Sequence, residues 1–204
     1  MIAQQADFVF SDLEINHGEE ISQRVAYHWY AFSTFIPNFL EELSRNISNR
    51  TIRLRILEIV SEEMGGGFFQ THAEMFYQAM TYLGHNISLI EVEAIRDFED
   101  EFKQKIMFYD PEAFSVGVSF GLEVIAEENI QFLLSSTSRS KAEYEANKSS
   151  TFFKIHLINE KDHIEKCKQN LALIDSSKSE SLMRGINLSL RFWRNFWKLA
   201  VHDS

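Results

Sequence analysis

The chain has a single cysteine, Cys167, so neither an internal disulfide nor a cysteine-built zinc cluster can hold it together. Two prolines, Pro37 and Pro111, and eight glycines are too few breaks for a protein of many short strands and turns. No stretch approaches the ~20 apolar residues that a membrane-spanning helix needs. Residues Met1 to Phe10 lack the basic start and apolar core of an export signal. Positive charge is also short: 20 Lys and Arg against 30 Asp and Glu give a net charge of -10, so most of the surface would repel a phosphate backbone or an anionic membrane. The expectation is a cytoplasmic protein with no nucleic-acid and no membrane partner.

What the chain does have is helical periodicity. Apolar residues recur at spacings of three and four through most of its 204 residues, 45% of which are hydrophobic, enough for one domain with a core and a pocket. The pattern predicts an all-α, single-domain bundle of seven helices over residues 19–204, preceded by an N-terminal extension over 1–18. The helices are expected at about Glu19–Asn46, Thr51–Met64, Phe68–Leu83, Leu89–Met107, Pro111–Leu134, Lys141–Ile174 and Ser179–His202. Residues Asn86 to Ser88 offer a cap for the fourth and Asp110-Pro111 a start for the fifth.

The sixth predicted helix carries His156, Glu160 and His163 at i, i+4 and i+7. On an ideal helix these offsets share roughly 60° of arc, so the three side chains can address one centre. Two further pieces interrupt apolar or bent sequence. Glu62 and Glu63 precede the break Gly65-Gly66-Gly67, and His72 follows it. Glu123 interrupts a nearly wholly apolar run, where an unpaired carboxylate would cost several kcal/mol to bury, so it needs a partner such as a cation. Glu127 lies one turn further on. Imidazole and carboxylate donors from separate helices suit a borderline transition metal with positions left open for dioxygen and substrate. Two iron ions are the preferred occupants, with manganese or zinc able to use the same donors. A ferritin-like site would need a second Glu-x-x-His on a long helix, and Glu14-x-x-His17 precedes them all.

Taken together, Glu62-Glu63-x-Gly with His72, Gly121-Leu122-Glu123, and His156-x3-Glu160-x2-His163 resemble the haem-oxygenase-like di-iron oxidases, over about Tyr27 to Trp197. The resemblance implies a seven-helix fold, metal ligands at Glu62, His72, Glu123, His156, Glu160 and His163, and dioxygen-dependent oxidation of a small amine, amino acid or fatty acid derivative. Glu63 is an alternate for Glu62, and Glu127 a further alternate. Glu160 stands where the family usually has aspartate. The self-sacrificing 4-aminobenzoate synthases are the nearest branch, but their lysine ten residues after the mid-chain glutamate is Leu133 here. A homodimer is expected.

Rival readings remain. A metal-free or thiamine-processing relative of the fold would rely on Cys167 as nucleophile, a haem protein on His28 as axial ligand, and a non-catalytic helical interaction module on neither. His85 and His202 read as surface residues near helix ends. Phe68, Phe69, Phe76, Phe120 and Phe153 serve either a pocket or a plain core.

Overall fold

The helical periodicity is realised along nearly the whole chain. The computed structural model describes residues 2–11, 13, 18–67 and 69–202, and their side chains except at 2, 3 and 159–161. In order the helices are α1 (Ile2–Phe10), α2 (Glu19–Ser44), α3 (Arg50–Glu63), α4 (His72–Tyr82), α5 (Glu93–Lys105), α6 (Pro111–Glu123), α7 (Ala126–Ser136), α8 (Lys141–Lys148), α9 (Thr151–Leu171) and α10 (Ser179–Val201). A 3-10 turn, Ser176–Lys178, leads into α10. There is no strand among the described residues, and none of the described helices is long and apolar enough to cross a membrane.

The described residues form ten helices where seven were expected, for three local reasons. The segment read as an extension contains α1, which packs on the body through buried Val9 and through Phe10, whose ring lies 5.2 Å from Phe132. The fifth expected helix divides after Glu123 with no proline or glycine at the break. There the Leu122 carbonyl accepts the Trp193 indole N–H at 3.1 Å, and Ile125 leaves helical geometry at φ -122°, ψ 25°. A side chain entering the carbonyl ladder is a known cause of such a break. The sixth divides at Ser149 and Ser150, residue types that favour caps over helix interiors, with Ser150 extended at the N-cap of α9. The fourth starts later than expected because Asn86 does not cap it. Its backbone instead pairs with Gln23, accepting from Nε2 at 2.9 Å and donating to Oε1 at 3.2 Å.

Two glycines fix helix ends. Gly65 at φ 90° closes α3 in a Schellman motif, its N–H donating to the Glu62 carbonyl while that of Gly66 donates to Ser61. Gly84 at φ 83° does the same for α4, with Gly84 donating to Thr81 and His85 to Met80. The second turn corrects one expectation: His85, read as a surface residue, is carried inward and is only 3% exposed.

The closest helix pair is α6 with α10. The whole of α6 from Ala113 to Leu122 is buried, as befits a helix that is apolar all round. Its backbone meets α10 directly. A Cβ on Gly117 would sit 2.1 Å from the Leu182 carbonyl oxygen, and one on Gly185 would sit 2.2 Å from that of Phe114. Ser189 Oγ then donates to the Val118 carbonyl at 2.8 Å, while α2 caps the far end of α10 with Arg24 Nε donating to the Ala200 carbonyl at 3.0 Å.

Gly185→Ala is expected to lose about 3 kcal/mol or more of stability in urea unfolding, since backbone rather than a side-chain tip must move. Gly67→Ala, where an added Cβ meets nothing within 4 Å, should change it by less than about 0.5 kcal/mol.

Candidate metal centre

Three helices bring carboxylates and imidazoles to one cavity of about 50 Å³, room for a few water molecules or ions, and three more complete its described lining. The end of α3 supplies Glu63, the end of α6 supplies Glu123, and α9 supplies His156 and His163. Helix α2 contributes Trp29, Phe32, Ser33 and Ile36, and α10 contributes Trp193. His72, the first residue of α4, joins this set from behind: its ring centroid is 4.5 Å from that of His156. A capping box between Thr71 and Glu74 starts α4 and so fixes where that imidazole stands.

Glu63, His72 and His156 each offer a ligand atom, and these atoms lie within 4.8 Å of one another. His72 Nδ1 is 3.1 Å from Glu63 Oε2. It has no well-formed hydrogen bond to any described residue. His156 Nδ1 donates to the Phe152 carbonyl at 2.8 Å. That bond puts the proton on Nδ1 and leaves the Nε2 lone pair available, the arrangement usual for a metal-binding histidine. Burial drives the His156 pKa down to about 4, with the neighbouring charge of His72 acting in the same direction. The ring is therefore neutral at pH 7, as a ligand must be. Burial pushes the Glu63 carboxyl up, but the close approach of His72 at 3.1 Å and the charges of His72, His156 and His163 outweigh it and leave the pKa below the ordinary value.

A second group adjoins the first. His163 Nε2 donates to Glu62 Oε2 at 2.6 Å, and its Nδ1 lies 3.5 Å from Glu123 Oε2. His156 and His163 thus face the same interior from one stripe of α9, which Phe152, Phe153 and Cys167 continue as core.

The structure places the acidic candidates differently. Glu63 is inside, with its side chain 15% exposed, while Glu62 stands at the rim, 36% exposed, and also accepts from Lys166 Nζ at 3.3 Å. Glu127 accepts from Gln131 at 3.3 Å on an exposed face and is not among the described lining residues. The side chain of Glu160 lies outside the described residues, as do Glu14, His17 and Phe68. Phe76, Phe120 and Phe153 belong to the core and Phe69 is fully exposed, so none of them lines the cavity. The aromatic wall is Trp29, Phe32 and Trp193 instead. Asn129, at the cavity from α7, was not anticipated, because no motif marks a lone asparagine in a helix. Of the rival anchors, Cys167 is buried in the core. The His28 ring donates from Nδ1 to the Arg24 carbonyl at 2.9 Å and packs edge-on to Phe196. Neither is among the described residues lining the cavity.

No protein-family model matches the chain, and no curated protein does. Among solved structures it is similar to a CADD-like protein of unknown function from Nostoc punctiforme PCC 73102. One crystal structure of that protein, at 2.00 Å, aligns with a TM-score of 0.71 at 13% identity over 98% of this chain and 97% of that one. Another, at 1.35 Å, gives 0.69 at 12% identity over 97% and 84%. At such identities the likeness shows a shared fold.

Metal-free protein should lose stability on acidification. His156 is held neutral in the fold down to about pH 4, whereas the unfolded chain takes up that proton near 6.5. The unfolded state then binds more protons in this window, so stability present above pH 6.5 falls as pH drops towards 4. The loss is about 3 kcal/mol, and the lowered carboxyl of Glu63 acts in the same direction. Urea unfolding in chelator across pH 7.5 to 4.5 checks this, and a flat profile would contradict the assignment.

Proposed function

We propose that the chain is a metal-dependent oxidoreductase that uses two iron ions and dioxygen to oxidise a small molecule. The observation that supports this best is the convergence of Glu63, His72 and His156 within 4.8 Å, with His163, Glu62 and Glu123 beside them. The donor set fits the metal, with a neutral imidazole at His156 whose lone pair is held ready by a bond to backbone, two further imidazoles, and enclosed carboxylates to balance positive charge. The chain shares its fold with a CADD-like protein of unknown function, and its motifs resemble those of the haem-oxygenase-like di-iron oxidases.

Iron bound at this centre supplies one-electron exchange with dioxygen. The chain's own residues do the rest. His156 offers Nε2 while its Nδ1–H donates to the Phe152 carbonyl, so the ring keeps one tautomer and one orientation. Glu63 and His72 meet across the gap between α3 and α4, where the Gly65 turn brings the chain back. Glu62 and Lys166 close the rim with an ion pair at 3.3 Å. The apolar side chains of Phe32, Ile36, Leu122 and Ile130 confine the cavity to a small substrate and limit water.

Anaerobic titration with ferrous iron should load about two ions per chain, and admission of air should then consume dioxygen. His72→Ala and His163→Ala should each lose most of the bound iron, and Glu63→Ala should lose more than Glu62→Ala. Full iron content in both histidine variants would overturn the proposal. Cys167→Ser is expected to leave loading and oxygen uptake unchanged, and loss of turnover there would favour a thiol-based reaction.

A further inference from the structure

The two ring nitrogens of His163 meet two carboxylates at very different distances. Nε2 is 2.6 Å from Glu62 Oε2, while Nδ1 is 3.5 Å from Glu123 Oε2. Two donors each about 2.1 Å from one zinc ion at a tetrahedral angle stand about 3.4 Å apart. The gap at Nε2 is too short to hold an ion, and that contact is a direct, charge-assisted hydrogen bond. An ionised carboxylate only accepts, so the proton of this bond sits on Nε2 and the lone pair on Nδ1. Nδ1 and Glu123 Oε2 are then two acceptors side by side, at a separation that suits a shared cation. Glu123 and His163 line the cavity, and Glu62 is not among its described lining residues.

Glu62 is also held from the outside. Its Oε1 accepts from Lys166 Nζ at 3.3 Å, and the same ammonium pairs with Asp162 at 3.0 Å, one turn back on α9. Glu63 already takes the inward position at the end of α3, and consecutive residues on a helix point about 100° apart, so the two acids cannot both face the cavity from one turn. To reach an ion, Glu62 would have to leave both His163 and Lys166.

We propose that Glu62 is a positioning residue and not a metal ligand: it accepts the Nε2–H of His163, fixes that ring with Nδ1 towards Glu123, and so makes Nδ1 the metal-binding atom. Lys166 anchors Glu62 in this role. The inference rests on the metal reading and deepens it, because the two histidines of α9 then bind through opposite nitrogens. His156 uses Nε2, its Nδ1–H being given to the Phe152 carbonyl, and His163 uses Nδ1. A carboxylate that accepts from a metal-binding imidazole both orients the ring and makes it a better donor.

The test uses the full chain loaded with Zn(II), which is diamagnetic, and reads the ring nitrogens by long-range proton–nitrogen NMR. His156→Gln and His163→Gln assign the signals. In wild type, His163 should carry its proton on Nε2 and bind zinc through Nδ1, and His156 should do the reverse. Glu62→Gln still accepts a hydrogen bond but carries no charge. It should keep the wild-type zinc stoichiometry, bind zinc about tenfold more weakly against a competing chelator, and move the His163 Nε2 proton upfield. Lys166→Met should move the same proton with a smaller loss of affinity. Zinc bound through Nε2 of His163, loss of a whole equivalent of zinc in Glu62→Gln, or unchanged affinity in that variant would each overturn the role given to Glu62 and leave the metal centre standing. Failure of wild type to take up zinc would overturn the metal reading itself, and this inference with it.

Discussion

A carboxylate taken out of water must meet positive charge, and this requirement organises the middle of the molecule. Glu63 and Glu123 are largely enclosed, yet the groups around them are three imidazoles rather than lysine or arginine. Imidazole can answer the charge in two ways, by taking up a proton or by sharing a cation. The low pKa of His156 makes the first costly at that ring. A bound cation would answer the charge without that cost, and the carboxylates that are a liability in an empty core would become its ligands.

The scaffold places these groups at helix ends and at one well-buried stripe. Glu62 and Glu63 close α3 immediately before a turn that only glycine adopts easily, and His72 opens α4 with a cap of its own. Glu123 is the last residue of α6, where Trp193 takes the preceding carbonyl and turns the chain into α7. The position of Trp193 in turn depends on how closely α10 lies against α6, which glycine on both helices permits. A change far from the imidazoles, at Gly117 or Gly185, therefore reaches the centre through helix spacing. The stacked rings of Trp29, Trp193 and Trp197 tie α2 to the same contact and give the cavity a stiff aromatic wall.

The parts legible in the sequence were those governed by periodicity or by one residue's chemistry. The spacing of His156 and His163 required only that α9 be continuous, and a lone charge interrupting an apolar run singled out Glu123. The start of α6 was equally plain, because Asp110 caps it, accepting from the Ala113 N–H at 2.9 Å, with Pro111 next in the first turn. Which of Glu62 and Glu63 faces inward was not legible, since adjacent residues differ by about 100° on a helix and the phase is set by tertiary packing. The break after Glu123 was invisible because its cause, the Trp193 indole, lies 71 positions away. Asn129 and the turned-in His85 were missed for the same reason: a lone polar residue shows its partner only once distant helices are brought together.

Anomalous diffraction from crystals soaked anaerobically with ferrous iron tests the central claim most directly. Two iron peaks inside the cavity are expected, one of them within bonding distance of His156 Nε2, His72 and Glu63. Ordered density with no iron at these side chains, in crystals that carry it elsewhere, would contradict the account.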